Sequence, residues 1–257
     1  WPQGFKLSLA VIADLHASEP TMGLERIRDV VRRTNALSAD AILLLGDYTA
    51  GHKPWREPIH SADWGRELGA LKAPLGVHAV LGNHDWWDDR SAQRRGAGPT
   101  FAGQALESNG IPVYDNQAVR LSKRGRPFWL AGLGDQLALL RGRHDDGRWR
   151  LQGVHDLPGT LRQVTDDAPV VLMAHEPDIF TKVPSRVALT ISGHTHGGQI
   201  RPLGYAIVPG TRLGRRYSYG HVVDDNRHLI VSGGLGCSIL PIRFGIPPEI
   251  VLIELGA

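Results

Sequence analysis

The sequence predicts an α/β protein with layered α+β character, in which two mixed β-sheets pack face to face and helices cover them. The chain has 257 residues, of which 42% are hydrophobic and 21% charged, so it can bury a core and is not disordered. Short apolar runs rich in Val, Ile and Leu recur between longer polar or helical segments, a pattern typical of buried strands. In the middle of the chain, two strand-like runs follow one another without a helix, which predicts antiparallel pairs between parallel units.

Five apolar runs are predicted as the central strands. They are Lys6–Ala13, Ala41–Leu45, Val77–Leu81, Val170–Ala174 and Val187–Ser192. Between the first two, Leu24–Leu37 carries apolar residues at close to helical spacing and arginines on the other face, which predicts a surface helix. Shorter helices are predicted at Ser61–Leu71, Phe101–Asn109 and Leu157–Val164.

The middle and the end of the chain contain further predicted strands. Ala118–Leu121 and Pro127–Leu133 are predicted to form a hairpin, because the turn-like Lys123–Arg126 joins them. The charged, glycine-containing stretch Arg141–Arg150 is predicted as a surface loop. Two last strands are predicted at His228–Ser232 and Glu249–Leu255. The sequence shows no internal repeat and no interdomain linker, so residues 1–257 are expected to form one domain.

The composition limits the chemistry that this chain can perform. Its single cysteine, Cys237, excludes a disulfide framework and a thiolate zinc cluster, whereas 12 histidines offer nitrogen ligands. The net charge of +3 is thin support for a nucleic-acid partner, and none is expected. The sequence holds no apolar run near the roughly 20 residues of a membrane helix. Because the chain begins at Trp1, we expect that an upstream anchor or export segment has been removed.

Each of the five central runs is followed by residues of the types that bind metals. Asp14 and His16 follow the first run, Asp47 the second, Asn83, His84 and Asp85 the third, His175 the fourth, and His194 and His196 the fifth. Each residue alone could be a cap, a turn residue or a core histidine. The carboxyl ends of parallel strands meet at one edge of a sheet, however, so all five ends together predict one polar cleft. Two divalent cations about 3.5–4 Å apart need a shared anion, which a carboxylate such as Asp47 can supply.

These blocks resemble those of the calcineurin-like metallophosphoesterases. Asp14-Leu15-His16, Gly46-Asp47, Gly82-Asn83-His84-Asp85, His175 and Gly193-His194-Thr195-His196 occur in the family's order without a substitution. The resemblance implies a four-layer αββα sandwich with a dinuclear metal site at the carboxyl edge of the strands. It implies that Asp14, His16, Asp47 and His196 bind one metal, and that Asp47, Asn83, His175 and His194 bind the other. Imidazole, carboxylate and amide ligands suit Mn²⁺, Fe or Zn²⁺, and we favour Mn²⁺.

The resemblance also implies a mechanism of hydrolysis. A hydroxide that bridges the two metals attacks the phosphorus atom. His84 follows the ligand Asn83 but lies outside the implied ligand set, so it is expected to protonate the leaving oxygen as general acid. Asp85 is expected to orient and charge the His84 ring, although a helix cap at this turn explains Asp85 nearly as well.

Four arginines are candidates for binding the substrate phosphate, because a planar guanidinium can hold it through two hydrogen bonds. They are Arg201, Arg215, Arg216 and Arg243. For each of them, a solvated surface position is the commoner role. The seven remaining histidines are interpreted as structural or surface residues, with His52 the strongest exception because it follows Asp47 on the same loop.

Within the family, the segments Ser192–Ile200 and Gly234–Gly245 look like a bacterial branch that includes membrane-associated phosphodiesterases and a UDP-2,3-diacylglucosamine pyrophosphatase of lipid A synthesis. This likeness implies hydrolysis of a phosphodiester or pyrophosphate bond, on a lipid-linked or UDP-sugar substrate, by a protein held at the bacterial inner membrane through its missing N-terminal segment. The chain itself is expected to be soluble. A cyclic-nucleotide phosphodiesterase, a phosphomonoesterase and a non-catalytic scaffold of the same fold stay open as alternatives.

Overall fold

The computed structural model describes residues 1–51 and 54–256. Over these residues the chain forms fourteen β-strands and six α-helices. The strands are β1 (Leu7–Ile12), β2 (Ser18–Glu19), β3 (Ala41–Leu44), β4 (Glu57–Pro58), β5 (Val77–Ala79), β6 (Gln117–Lys123), β7 (Arg126–Gly132), β8 (Leu139–Arg143), β9 (Trp149–Gln152), β10 (Val170–Met173), β11 (Val187–Ser192), β12 (Gly220–Asp224), β13 (Arg227–Val231) and β14 (Val251–Leu255). The helices are α1 (Leu24–Ala36), α2 (Ser61–Leu68), α3 (Asn83–Trp87), α4 (Arg90–Arg95), α5 (Phe101–Glu107) and α6 (Leu157–Arg162).

Two mixed sheets form the centre of the fold, which confirms the predicted fold class. The four-stranded sheet has the order β14-β1-β3-β5, with β1, β3 and β5 parallel and β14 antiparallel to β1. The six-stranded sheet has the order β12-β13-β11-β10-β7-β6. Its four central strands are parallel, and each outer strand is antiparallel to its neighbour.

Both faces of the central strands are buried, which is why these strands have nearly continuous apolar sequences. In β1, Leu9 and Val11 face the other sheet and share a core cluster with Leu130 of β7 and Val171 of β10. Ile12 of the same strand faces the opposite way, into the cluster that includes residues of α1 and α2. A third cluster lies between the six-stranded sheet and the helical segments on its outer side. The layers therefore follow the order α-β-β-α.

The predicted strands and the predicted hairpin are confirmed, with small differences at their ends. The hairpin of β6 and β7 closes through Arg124 and Gly125, which both have positive φ, at 50° and 78°. Two consecutive residues with positive φ form the tight turn that matches the twist of a two-stranded ribbon.

The predicted helices are also present, but α2, α5 and α6 end earlier than expected. In α2 the helix stops at Leu68, because Ala70 and Leu71 donate to carbonyl groups three residues back and close tighter turns. The short helices α3 and α4 were not predicted, since five or six residues carry too little periodicity. None of the helices in the described ranges combines the length and apolar character needed to cross a bilayer.

The prediction of a loop over Arg141–Arg150 is wrong. The strands β8 and β9 form a hairpin there, with Leu139 opposite Gln152 and Arg143 opposite Trp149. Most side chains from Gly142 to Arg150 are exposed, so the sequence lacks the alternation of apolar and polar residues that identifies a half-buried strand.

Candidate metal centre

The loops that follow β1, β3, β5, β10 and β11 bring all seven predicted metal ligands together. Backbone hydrogen bonds join these loops: the N–H of Asp14 donates to the Gly46 carbonyl at 3.1 Å, and the N–H of His16 donates to the Asp47 carbonyl at 2.9 Å. Across the two sheets, the N–H of His194 donates to the Asp14 carboxylate at 2.9 and 3.1 Å. The predicted cleft at the carboxyl edge of the strands is therefore present.

Two groups of ligand atoms lie side by side in this cleft. The first contains Asp14, His16 and His196, and the His16 and His196 Nε2 atoms are 3.0 Å apart. The second contains Asp47, His175 and His194, and His194 Nδ1 lies 3.3 Å from His175 Nε2. Within each group, the ligand atoms lie within 4.8 Å of one another.

Asp47 lies between the two groups and faces both of them. Its Oδ2 is 3.5 Å from His16 Nε2, and its Oδ1 is 3.4 Å from His175 Nε2. One oxygen of the carboxylate thus points to each group, which is the arrangement that a bridging ligand requires.

Asn83 contributes an acceptor without a donor. Its Oδ1 is buried and has no hydrogen-bond partner among the described residues. An unpaired buried carbonyl oxygen costs about 1–3 kcal/mol, and a hard divalent cation would satisfy it. The residues present therefore fit a metal site.

Backbone carbonyls set the orientation of two of the ligand imidazoles. His16 Nδ1 donates to the Thr49 carbonyl at 2.9 Å, and His175 Nδ1 donates to the Leu45 carbonyl at 2.6 Å. With the proton on Nδ1, each ring directs the Nε2 lone pair into the cleft, where a metal would bind it.

Five of the seven candidate ligands have backbone angles that side-chain-bearing residues rarely adopt. Their φ angles are 54° at Asp14, 46° at His16, 56° at Asp47, 66° at His194 and 52° at His196. Each such residue costs of order 1–3 kcal/mol, and strain of this kind concentrates at functional sites. The loops therefore give up stability to direct these five side chains inward.

Asp85 holds two of these loops together. Its carboxylate accepts the backbone N–H groups of Asp47, Tyr48 and Gly82 at 2.9 Å each, and that of Thr49 at 3.1 Å. Four donors occupy both oxygens, so the carboxylate contacts the loop after β3 rather than the His84 ring that we expected it to orient. The alternative expectation of a helix cap at this turn fits better, since Asp85 is the third residue of α3 and its carboxylate accepts the N–H of Gly82, the residue just before the helix.

Burial and mutual charge shift the pKa values of the ligands in opposite directions. Burial raises the pKa of Asp14 to about 7 and lowers the pKa of His16 to about 3. Burial alone would raise the pKa of Asp47, but the charges of His175 and His84 hold it well below its usual range. Conversely, Asp47 raises the pKa of His175 well above its usual value against the effect of burial. A buried anionic bridge of this kind needs cations beside it.

His84 lies at the edge of the site and is half-buried. Its backbone N–H donates to Asp47 Oδ1 at 2.9 Å, and its ring stands edge-on to the His16 ring, with centroids 4.9 Å apart. The Trp87 ring lies on another side, 5.3 Å away. His84 is therefore next to the ligand groups but more open to a bound molecule than the ligands are.

Among the four candidate arginines, Arg243 contacts a predicted ligand. Its Nη2 lies 3.1 Å from His196 Nδ1 and also donates to the Gly236 carbonyl at 2.6 Å. The other three donate to backbone carbonyls: Arg201 to those of Gly197 and Gly204, Arg215 to that of Ala206, and Arg216 to that of Val223 in β12. Arg216 Nη2 also lies 3.5 Å from Asp224 Oδ1.

The sequence reasoning missed two polar features of this site. Arg56 is buried, and its Nη1 donates to the carbonyls of Cys237 and Ser238 at 3.0 Å each. Asp135 and Glu176 are buried next to His175, and burial raises the pKa of Asp135 well above its usual value. Asp135 follows β7, so the strand-end rule could have found it, whereas Arg56 carries no such signal.

Six of the seven remaining histidines are described, and His52 lies outside the described residues. His60 accepts the Ala62 N–H at the start of α2, and buried His78 bonds to Tyr114 and Leu75. His221 and His228 stack on one another across β12 and β13. His144 is in the exposed turn of the β8–β9 hairpin, and His155 lines a pocket that also includes Glu176 and His194.

Two adjoining groups of metal-ligating side chains at the edge of an αββα sandwich define a metal-dependent hydrolase. The chain belongs to the calcineurin-like phosphoesterase family, whose sequence model matches residues 7–198. It is therefore a metallophosphoesterase, and the predicted enzyme class is confirmed.

Three relatives illustrate this membership. The uncharacterized metallophosphoesterase YkuE of Bacillus subtilis (strain 168) is 30% identical over 262 residues, covering 99% of this chain and 81% of that protein. The phosphodiesterase YaeI of Escherichia coli (strain K12) is 29% identical, covering 95% of this chain and 80% of that protein. A zebrafish (Danio rerio) transmembrane protein with a metallophosphoesterase domain is 27% identical. The matched region covers 97% of this chain but only 53% of that protein.

Proposed function

We propose that this protein hydrolyses phosphodiester or pyrophosphate bonds with two divalent cations. The observation that carries the proposal is the position of Asp47, whose two carboxylate oxygens face separate ligand groups at 3.5 and 3.4 Å. One cation would be held by Asp14, His16, Asp47 and His196, and the other by Asp47, Asn83, His175 and His194. Bound cations would supply an activated water and neutralise the phosphoryl oxygens. Mn²⁺ is favoured, and Fe or Zn²⁺ suits the same ligands.

His84 is proposed as the general acid. It is half-buried beside the ligand groups. The hydrogen bond from its backbone N–H to Asp47 Oδ1 fixes the position of the backbone that carries the ring. A proton donor is needed for a leaving alkoxide, and an imidazole serves this purpose near neutral pH. Asp85 is proposed as a positioning residue, because it ties the loop of His84 to the loop of Asp47.

Arg243 is the favoured substrate-binding residue. A guanidinium only donates, so its contact with His196 requires the lone pair of Nδ1. A cation held by His196 would favour the tautomer that carries its proton on Nδ1, opposite the Arg243 donor. Metal loading would thus release one arm of Arg243 toward a bound phosphate. Arg201, Arg215 and Arg216 are also proposed as substrate-binding residues, although none of their described contacts is with a proposed metal ligand.

A lipid-linked or UDP-sugar substrate of the UDP-2,3-diacylglucosamine type is proposed within this activity. It is supported by a groove of about 330 Å³ that begins at His194 and His196 and is walled by apolar side chains such as Ile200, Ile207 and Ile239. Hydrolysis at an inner membrane is proposed on the same basis, and one relative carries a transmembrane name. The lipid A branch assignment is part of this proposal.

The hydrolase proposal is tested with bis-p-nitrophenyl phosphate and Mn²⁺. We expect turnover that a chelator abolishes and that Asp47→Asn reduces by at least about 10³-fold, while Asp63→Asn, at a half-buried position of α2, serves as the unaffected control. If the metal-loaded protein hydrolysed neither phosphodiesters nor pyrophosphates, the non-catalytic scaffold would be favoured over the hydrolase. Faster hydrolysis of p-nitrophenyl phosphate, or of a cyclic nucleotide, would instead favour the monoesterase or the cyclic-nucleotide phosphodiesterase.

The substrate proposal needs a separate comparison. We expect UDP-2,3-diacylglucosamine to be cleaved with a higher kcat/KM than UDP-N-acetylglucosamine, because the acyl chains would fill the apolar groove. Ile207→Ser and Ile239→Ser should each reduce the difference in kcat/KM between the two substrates. Equal rates for both nucleotides would contradict a lipid-linked substrate without affecting the hydrolase proposal.

A further inference from the structure

Exposed apolar side chains are concentrated in two short segments beside the candidate metal centre. Among the described residues, thirteen large apolar side chains are exposed, and eight of them lie within residues 203–208 and 239–244. We call these eight side chains the apolar rim. Exposed apolar residues scattered singly need no explanation, but a contiguous group marks an interaction surface.

The rim is one surface because Gln199 and Arg201, just before its first segment, are hydrogen-bonded to its second segment. The backbone N–H of Arg201 donates to the Phe244 carbonyl at 2.7 Å, and that of Phe244 donates to the Gln199 carbonyl at 3.0 Å. The Gln199 amide donates to the Leu240 and Ile242 carbonyls at 2.9 Å each. These bonds pair the polar groups of Gln199 and Arg201 with the second segment, and the apolar side chains of the rim face solvent.

Leu203 shows that fold stability does not explain the rim. Its side chain is 96% exposed, and its backbone has a positive φ of 50°. A glycine or asparagine at this turn would relieve the strain, and a polar side chain would be better solvated. A leucine that both conformation and solvation disfavour indicates a surface that contacts an apolar environment.

The charged residues of the two chain segments that carry the rim are of one sign. Residues 197–220 and 234–248 contain no Asp or Glu. The same segments contain five arginines, at positions 201, 212, 215, 216 and 243. Arg212, Arg215 and Arg216 are exposed. From outside these segments, Asp178 accepts the Arg212 backbone N–H and Asp224 lies 3.5 Å from Arg216 Nη2. The segments themselves carry cations only, and an apolar surface with such cations complements an anionic lipid surface, to which each basic residue contributes about 1 kcal/mol.

A second copy of this chain is a poor occupant of the rim. A two-fold symmetric contact would place the same arginine-bearing segments opposite one another, and the segments hold no carboxylate to neutralise them. We propose that the rim docks on an anionic lipid bilayer, with Leu203 and its neighbours entering the interface. Because the rim and the ligands His194 and His196 share one groove, docking would present the metal centre to the membrane surface.

This surface does not depend on the proposed hydrolysis, since it includes neither a proposed metal ligand nor His84. The 257-residue protein should co-sediment with vesicles that mix phosphatidylcholine and phosphatidylglycerol, and less with phosphatidylcholine alone. Leu203→Ser should weaken binding by about tenfold, whereas Leu252→Ser, an exposed leucine on β14 outside the rim, should not. Arg212→Ala should weaken binding to the anionic vesicles by about fivefold and leave binding to phosphatidylcholine unchanged.

Three results would overturn the docking proposal. The first is that the protein binds neither type of vesicle, and the second is that Leu203→Ser and Leu252→Ser weaken vesicle binding equally. The third is a dimer in sedimentation velocity that Leu203→Ser dissociates, which would make the rim a contact between two copies of the chain. Hydrolysis of soluble bis-p-nitrophenyl phosphate by Leu203→Ser should equal that of the parent protein. If the protein bound vesicles but hydrolysed nothing, only the hydrolase proposal would be refuted. If it were active but bound no vesicle, only the docking proposal would be refuted.

Discussion

The carboxylate of Asp85 accepts the backbone N–H of Asp47 at 2.9 Å, so one acidic residue fixes the position of the other across a separation of 38 positions in the chain. We expect Asp85→Asn to leave some of the four backbone donors unpaired and to lower the free energy of unfolding by about 2–3 kcal/mol. Mn²⁺ affinity, measured by isothermal titration calorimetry, should fall by about 10–100-fold. Unchanged Mn²⁺ affinity with a loss of turnover alone would restore the expected role of Asp85 in orienting His84.

Asn83→Ala should separate metal binding from folding. Because the buried Oδ1 has no described partner, its removal should not destabilise the metal-free protein, and a gain of about 1 kcal/mol is expected. One of two Mn²⁺ ions should bind about 10–100-fold more weakly, as measured by metal analysis after dialysis. Two fully retained ions would exclude Asn83 as a ligand.

His84→Ala should retain both ions and lose proton transfer. Turnover of substrates with alkoxide leaving groups should fall by about 10²–10⁴-fold, and turnover of p-nitrophenyl esters should fall less, because p-nitrophenolate needs little protonation. Rates over a series of leaving groups, together with metal content, measure both effects. If the variant lost an ion, His84 would be a metal ligand rather than the general acid. Its position allows that role, because a ring nitrogen of His84 lies within 4.8 Å of ligand atoms of His16 and Asp47.

Gly82→Ala should disrupt the centre by steric contact alone. A Cβ at Gly82 would lie 2.4 Å from Asp47 Oδ1 and 2.6 Å from His175 Cε1, although its φ of −110° suits any residue. We expect a loss of Mn²⁺ binding of at least about tenfold by calorimetry, because the Asp47 carboxylate, proposed as the bridging ligand, must move. Gly103→Ala in α5 is the matched control, since its Cβ would make ordinary contacts at 3.4 Å and should stabilise the helix by about 1 kcal/mol. Equal effects of the two variants would refute the steric argument.

His78 should contribute to the acid sensitivity of the fold. Burial lowers the pKa of His78 in the folded protein below the value of about 6.5 in an unfolded chain. The unfolded chain therefore binds more protons, and stability falls as the pH drops below about 6.5. The free energy of unfolding can be measured by urea titration with chelator at pH 7.5 and pH 5.5, each about one unit from the unfolded-chain pKa of about 6.5. It should fall less between these two pH values for His78→Gln than for the parent protein. His144→Gln in the exposed turn should behave like the parent; identical curves for all three proteins would contradict the assignment.

The strand ends were predictable because burial on both faces leaves a long apolar run, and because ligands cluster where parallel strands stop. All seven proposed ligands were found in this way and through the resemblance that their blocks carry. The β8–β9 hairpin was not predicted, because its exposed faces give no alternation. Arg56 was missed since its carbonyl partners, Cys237 and Ser238, are 181 and 182 positions away.

The sequence by itself determined where the central strands lie along the chain and which chemical groups follow each of them, because burial pattern and residue type are local properties. Tertiary structure decided which loop each group would bind. It assigned the Asp85 carboxylate to four backbone donors, gave five of the proposed ligands a positive φ, and brought two distant segments together in the apolar rim. Those outcomes depend on hydrogen bonds between residues far apart in the chain, and no local pattern encodes which partners meet when the sheets pack together.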